Sequence, residues 1–127
     1  LFRSENNMPC FHFQSVPEEI QWHLTEAELG YTKIQHRIGS LYLESSCSVE
    51  ELYQAYKWLF ISVALGNEAA KDDLVEVNTR IDSDQIDQAY QLAEDWFDEK
   101  FDEISERDET KWSPELMKWR FALPLVH

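Results

Sequence analysis

Between Pro17 and Pro114 the chain has no proline, and it holds only three glycines, Gly30, Gly39 and Gly66. A sheet of short strands needs a tight turn every few residues, and this stretch lacks the turn formers for it. No run alternates apolar and polar residues for long enough to make a half-buried strand. Apolar residues recur instead at helical spacing. The fold class expected is therefore all-α. With 43% hydrophobic and 13% aromatic residues there is ample material for a core, and disordered chains are poor in aromatics. At 127 residues the expectation is a single domain, 1–127, around one core.

Helix boundaries can be placed from caps and stripes. Leu1 to Val16 has no clean period, and its Phe2, Phe11 and Phe13 suit an N-terminal arm packed on helices. Pro17-Glu18-Glu19 reads as a helix start with Ser15 as N-cap, Ile20, Leu24 and Ala27 facing inward, and Gly30 as the stop. A second helix is expected from about Tyr31 to Leu43, carrying Ile34, Ile38, Leu41 and Tyr42. A third starts near Val49, with Ser48 as N-cap and Glu51 three residues on. It is apolar nearly all round from Trp58 to Leu65, so it should be the most buried helix, and Gly66 ends it. A fourth runs from about Asn67 to Thr79 with Ala70, Leu74 and Val77 inward. After a turn at Ile81 to Ser83, a long fifth spans about Asp84 to Ile104, with Ile86, Ala89, Tyr90, Ala93, Trp96, Phe97, Phe101 and Ile104 as its apolar set. Ser113-Pro114-Glu115 is read as the cap of a short final helix bearing Trp119 and Phe121.

The net charge of −14 is unevenly placed. Glu68 to Glu109 contains 16 acidic and 4 basic residues, a net of −12, while the rest of the chain carries only −2. Such a surface repels phosphate backbones, which argues against nucleic acid and anionic membranes as partners. It attracts a basic protein and speeds its arrival. The partner-binding residues expected on these grounds are Asp95, Asp98, Glu99, Asp102 and Glu106, with Trp112 and Trp119 as aromatic anchors.

Chemistry finds little purchase. Cys10, His12, His23 and His36 match no zinc spacing, and the acidic run lacks the central glycine of a calcium loop. There is no glycine-rich phosphate loop and no nucleophile motif. No enzyme activity, metal or cofactor is expected. Cys10 and Cys47 read as two reduced thiols, which with the lack of a membrane-spanning run or a leader pattern favours the cytoplasm, or the periplasm had a signal peptide been removed. The chain begins with Leu1, and Met8 is a candidate native start.

Gly30, Gln35, Ile38, Gly39, Leu41 and Tyr42 resemble the first helix of a Sel1-like repeat, a relative of the tetratricopeptide repeat. Ala55, Lys57, Trp58, Ala64, Gly66, Asn67 and Ala70 resemble its second helix and the handover to the next repeat. Ser83, Gln85, Ile86, Ala89, Ala93 and Trp96 are similar to the helix pair that follows the last such repeat in bacterial proteins. The pattern departs at Ile34, which is bulky, and after Leu43, where the usual glycine turn is missing.

The resemblance implies antiparallel helix hairpins stacked in a short right-handed array of about five to six helices. Residues 17–66 would form the repeat-like part and 67–127 the acidic C-terminal helices. It gives packing roles to Gly30, Gly39, Tyr42, Ala55, Trp58, Ala64, Gly66, Ala89 and Trp96. Gly39, inside a helix, costs about 1 kcal/mol relative to alanine and suits a close helix crossing. One repeat cannot bury both its faces, so the flanking segments are expected to cap it. In function it implies protein binding. Small acidic proteins with such repeats include immunity proteins, which neutralise a secreted toxin, as in type VI secretion. An adaptor binding peptides or several partners is the alternative, and a small metal-binding or hydrolytic protein the remote one.

Overall fold

The structure, a computed structural model, describes residues 15–46, 48–106 and 113. It is all-α, with no strand among the described residues. Among the described residues five α-helices follow in order: α1 (Ser15–Glu28), α2 (Thr32–Ser45), α3 (Val49–Ala64), α4 (Lys71–Asn78) and α5 (Ser83–Glu106). A single 3₁₀ turn, Glu68–Ala70, leads into α4. Short connections make successive long helices antiparallel neighbours. The N-terminal arm, both cysteines and everything past Glu106 except Ser113 lie outside the described residues, and the expected last helix with them.

Two glycines end helices in the same way. After α1, the amide of Gly30 bonds the Ala27 carbonyl at 3.0 Å and that of Tyr31 bonds Glu26 at 3.3 Å. After α3, Gly66 bonds Val63 at 2.9 Å and Asn67 bonds Ser62 at 3.0 Å. Both are Schellman caps, which need a left-handed residue at the turn. Gly30 has φ +92° and Gly66 +113°, the region where a side chain is strained. The starts are built by polar side chains. The Ser48 hydroxyl accepts from the Glu51 amide at 3.3 Å. At α5, Asp82 and Gln85 each accept the other's backbone amide at 2.9 Å, so the residue read as part of a turn is the N-cap of a reciprocal box.

α3 packs against α2, α4 and α5, and it buries Ala55, Tyr56, Trp58, Leu59, Ile61 and Ser62. It serves two contiguous apolar clusters. One joins Ile20 and Ala27 of α1, Ile38 and Leu41 of α2, Trp58 and Ile61 of α3, and Ala93 and Trp96 of α5. The other joins Leu43, Ala55, Tyr56, Leu59, Ala70, Val77, Ile81 and Ala89. Tyr42 borders both. Gly39 is where α2 and α3 cross: a Cβ there would sit 2.5 Å from Leu59 Cγ and 3.2 Å from its backbone nitrogen. Ala55 and Ala89 are wholly buried, and Trp58 meets Trp96 edge-on at 6.0 Å.

Three expectations are corrected. Ala64 is exposed, so it makes no close helix crossing, and the buried small residues of α3 are Ala55 and Ser62 instead. Ser62 is accommodated in the core because its hydroxyl donates to the Thr32 carbonyl at 2.8 Å and accepts from Asn67 at 3.0 Å. The fourth helix does not begin at Asn67. The Asn67 carboxamide oxygen takes the Ala69 amide at 3.2 Å, which tightens the entry into a 3₁₀ turn and delays α4 to Lys71. Ser15 lies within α1 rather than at its cap.

Candidate interaction surface

The helix that presents the acidic residues is α5. Its inward positions Ala89, Ala93 and Trp96 are buried on α3 and fall three or four residues apart, one stripe of a helix. The sequence of α5 contains nine carboxylates and one cation, Lys100. Lys100 occupies the buried stripe at 6% exposure. Its Nζ lies 2.9 Å from Glu28 Oε1 of α1 and 3.4 Å from Glu103, beside the Trp96 ring. The same Glu28 oxygen accepts Trp96 Nε1–H at 3.0 Å. Lys100 is thus consumed in docking α5 to α1. Asp87, Glu94, Asp95, Asp98, Glu99 and Asp102 face water.

Of the residues expected to bind a partner, Asp95, Asp98, Glu99 and Asp102 are all exposed on α5. Asp87 and Glu94 join them, and the stripe from Asp87 to Asp102 is about 22 Å long at 1.5 Å per residue. The Asp95 carboxylate accepts from Gln91 at 2.9 Å. Glu106 ends α5, with its side chain outside the described residues, as are Trp112 and Trp119. Ser113 is buried, and its amide donates to the Leu29 carbonyl at 3.3 Å.

Sequence reasoning passed over three exposed aromatics, of which Tyr31, just ahead of α2, is 41% exposed. Tyr90, placed in the buried set of α5, is 38% exposed and held at the edge of the core. Its ring meets Phe60 edge-on at 5.2 Å, and Phe60 stacks on Tyr56. Its hydroxyl donates to Glu94 at 3.0 Å. That hydrogen bond to a carboxylate, helped by partial burial, raises the Tyr90 pKa. Trp22, on α1, is 73% exposed. It falls off the Ile20, Leu24, Ala27 stripe, and this offset was the signal available in the sequence.

A second polar region lies on α2. Lys33, His36, Arg37, Ser40 and Glu44 line an open groove of about 300 Å³. Asp73 of α4 engages two of these residues, accepting Ser40 Oγ–H at 2.6 Å and lying 3.0 Å from His36 Nε2. A serine, a histidine and an aspartate meet here, but Ser40 donates to Asp73 rather than to His36. Without a base on the hydroxyl this is a helix-to-helix tie and not an activated nucleophile. Arg37 is engaged by Glu19 of α1 at 2.9 Å. Among the described residues, no group of three or more His, Cys, Asp and Glu could hold a metal, and no helix is long and apolar enough to cross a membrane.

Burial shapes the remaining titrations. Burial raises the phenol of Tyr42, with Glu51 adding to it, and that of Tyr56, with Tyr90 and Asp87 adding. Burial lowers the Lys57 ammonium, against the pull of Glu28 and Glu99, and its Nζ rests 4.6 Å from the Trp58 ring centre. None of these groups lines a cleft with a reactive partner.

In comparisons with known proteins, no family model matches the chain, and no curated protein or solved structure shows significant similarity to it.

Proposed function

We propose that this chain is a protein-binding helical module that docks a basic protein on the carboxylate face of α5. The observation that carries this reading is the one-sidedness of α5: Asp87, Glu94, Asp95, Asp98, Glu99 and Asp102 face water, while its one cation is turned inward onto Glu28. Charges of one sign along a rigid helix steer an oppositely charged partner and set its register. The narrower form is an immunity protein that covers the active cleft of a secreted toxin. Its support is the residue-level resemblance to Sel1-like repeats together with the charge, since enzymes that cut nucleic acids carry basic clefts. Fold alone does not fix function, and the carboxylate face is the physical part of the case.

The test is affinity capture with the tagged chain from extracts of the organism that encodes it. At low salt one stoichiometric basic protein is expected. It should be lost at high salt, and also with the Asp95→Asn, Asp98→Asn, Asp102→Asn triple variant. Capture indifferent to both sinks the α5 reading. A peptide-binding adaptor is the second reading, favoured by the groove along α2. It calls for several weaker partners whose capture depends on Lys33 and Arg37 rather than on α5.

A further inference from the structure

We propose that Tyr90 makes the acidic face of α5 selective for arginine over lysine, by offering a fixed aromatic surface beside carboxylates on which a partner's guanidinium stacks. The inference rests on the reading that α5 binds a basic protein, and it names the side chain the partner must present.

Tyr90 is the exposed aromatic of the described part of α5. Two contacts hold it still: the Phe60 ring at 5.2 Å on the core side, and Glu94 on its hydroxyl at 3.0 Å. Phe60 is itself backed by the buried Tyr56, so the exposed ring is the end of a three-ring ladder rooted in α3. A ring held in this way needs no ordering when a ligand arrives, which removes part of the entropic cost of binding. Asp87 lies one turn before Tyr90 and Glu94 one turn after, both exposed. The side chain that satisfies a flat aromatic surface and carboxylates together is arginine. Its guanidinium is planar and weakly hydrated, it stacks on rings, and its edge donates two parallel hydrogen bonds to a carboxylate. A lysine ammonium is a compact, strongly hydrated charge that gains from the carboxylates but little from the ring. Charge complementarity thus brings any basic partner to α5, and Tyr90 decides which cation anchors it.

The experiment measures binding of fluorescent oligo-arginine and oligo-lysine peptides of equal length to the whole chain, at low and moderate salt. Wild type should bind the arginine peptide about two- to fivefold more tightly, the range of an exposed cation–π contact. Tyr90→Leu, which keeps an apolar cover on Phe60, should weaken arginine-peptide binding by about that factor and so abolish the preference. Tyr90→Phe should retain it, since the ring and not the hydroxyl is the contact. Circular dichroism of each variant reports its folding. Equal binding of both peptides by wild type, or a preference that survives Tyr90→Leu in a folded variant, overturns the proposal and leaves the acidic-face reading standing. Failure of both peptides to bind wild type at low salt overturns the acidic-face reading as well.

Discussion

At Gly39 a single methyl group decides how closely two helices can pack. Alanine has the better helix propensity by about 1 kcal/mol, so on an isolated helix Gly39→Ala would stabilise. Here the new Cβ meets Leu59 at its Cγ and near its backbone nitrogen, and neither is the free end of a flexible side chain. Overpacking of this kind costs about 1–3 kcal/mol. Gly39→Ala should therefore lower stability in a urea titration; a gain would mean that α3 can move away freely. Tyr42 and Tyr56 give a second test at this scale. Their folded pKa values lie above the ordinary value of 10.0, so their contribution to stability is fully present below about pH 10 and is lost as pH rises through the folded values. Lys57 runs the other way: its lowered pKa gives a contribution that is present above 10.5 and lost as pH falls. Tyrosinate absorbance of the native chain should lag that of the urea-unfolded chain above pH 10, and Tyr42→Phe should remove part of the lag. Coincident curves would show these phenols to be solvated. The glycine was legible in the sequence because a helical glycine needs a reason. Its partner Leu59 was not, because nothing in the sequence gives the crossing point.

Among the elements, α5 depends most on what it touches. Its start is local, set by the Asp82 and Gln85 box, and its stripe was readable from spacing. What holds it in place is nonlocal. Trp96 packs edge-on against Trp58 of α3 and Phe97, and its indole N–H reaches Glu28 of α1. Trp96→Ala should cost about 3–5 kcal/mol, as large aromatic truncations in cores do. Asp98→Asn, on the opposite face, should change stability by less than about 0.5 kcal/mol. Urea unfolding of the two variants separates them, and a small loss at Trp96 would mean that α5 is not docked through it. Tyr90 shows where spacing misleads. It follows Ala89 in the stripe by one residue, at the stripe's border, and only the position of Phe60 fixes it as a half-exposed ring. Ala64 fails for the same reason: at the last residue of α3 an alanine is equally at home buried or in water.

Over the whole molecule the charge of −14 works against compactness, since the exposed carboxylates of α4 and α5 repel one another while Arg80 and Lys100 are already paired within the fold. Raising salt from about 0.01 to about 0.1 M shortens the screening length from about 30 to about 10 Å and weakens that repulsion. The Tm should rise across this range, and a fall would show that the cross-helix ion pairs outweigh the repulsion. The same salt that stabilises the fold should weaken a basic partner's hold on α5, so the two measurements move in opposite directions. The sequence by itself determined the helical class, the Gly30 and Gly66 stops, the Ser48 start and the location of the charge after Gly66, because caps, periodicity and charge are local and read from neighbours in the chain. Only the tertiary structure decided that Lys100 is spent inward on Glu28, that Gly39 lies under Leu59 and that Tyr90 stands at the edge of the core. Each of these depends on contacts between residues far apart in the chain, where packing rather than spacing chooses which side chain meets which.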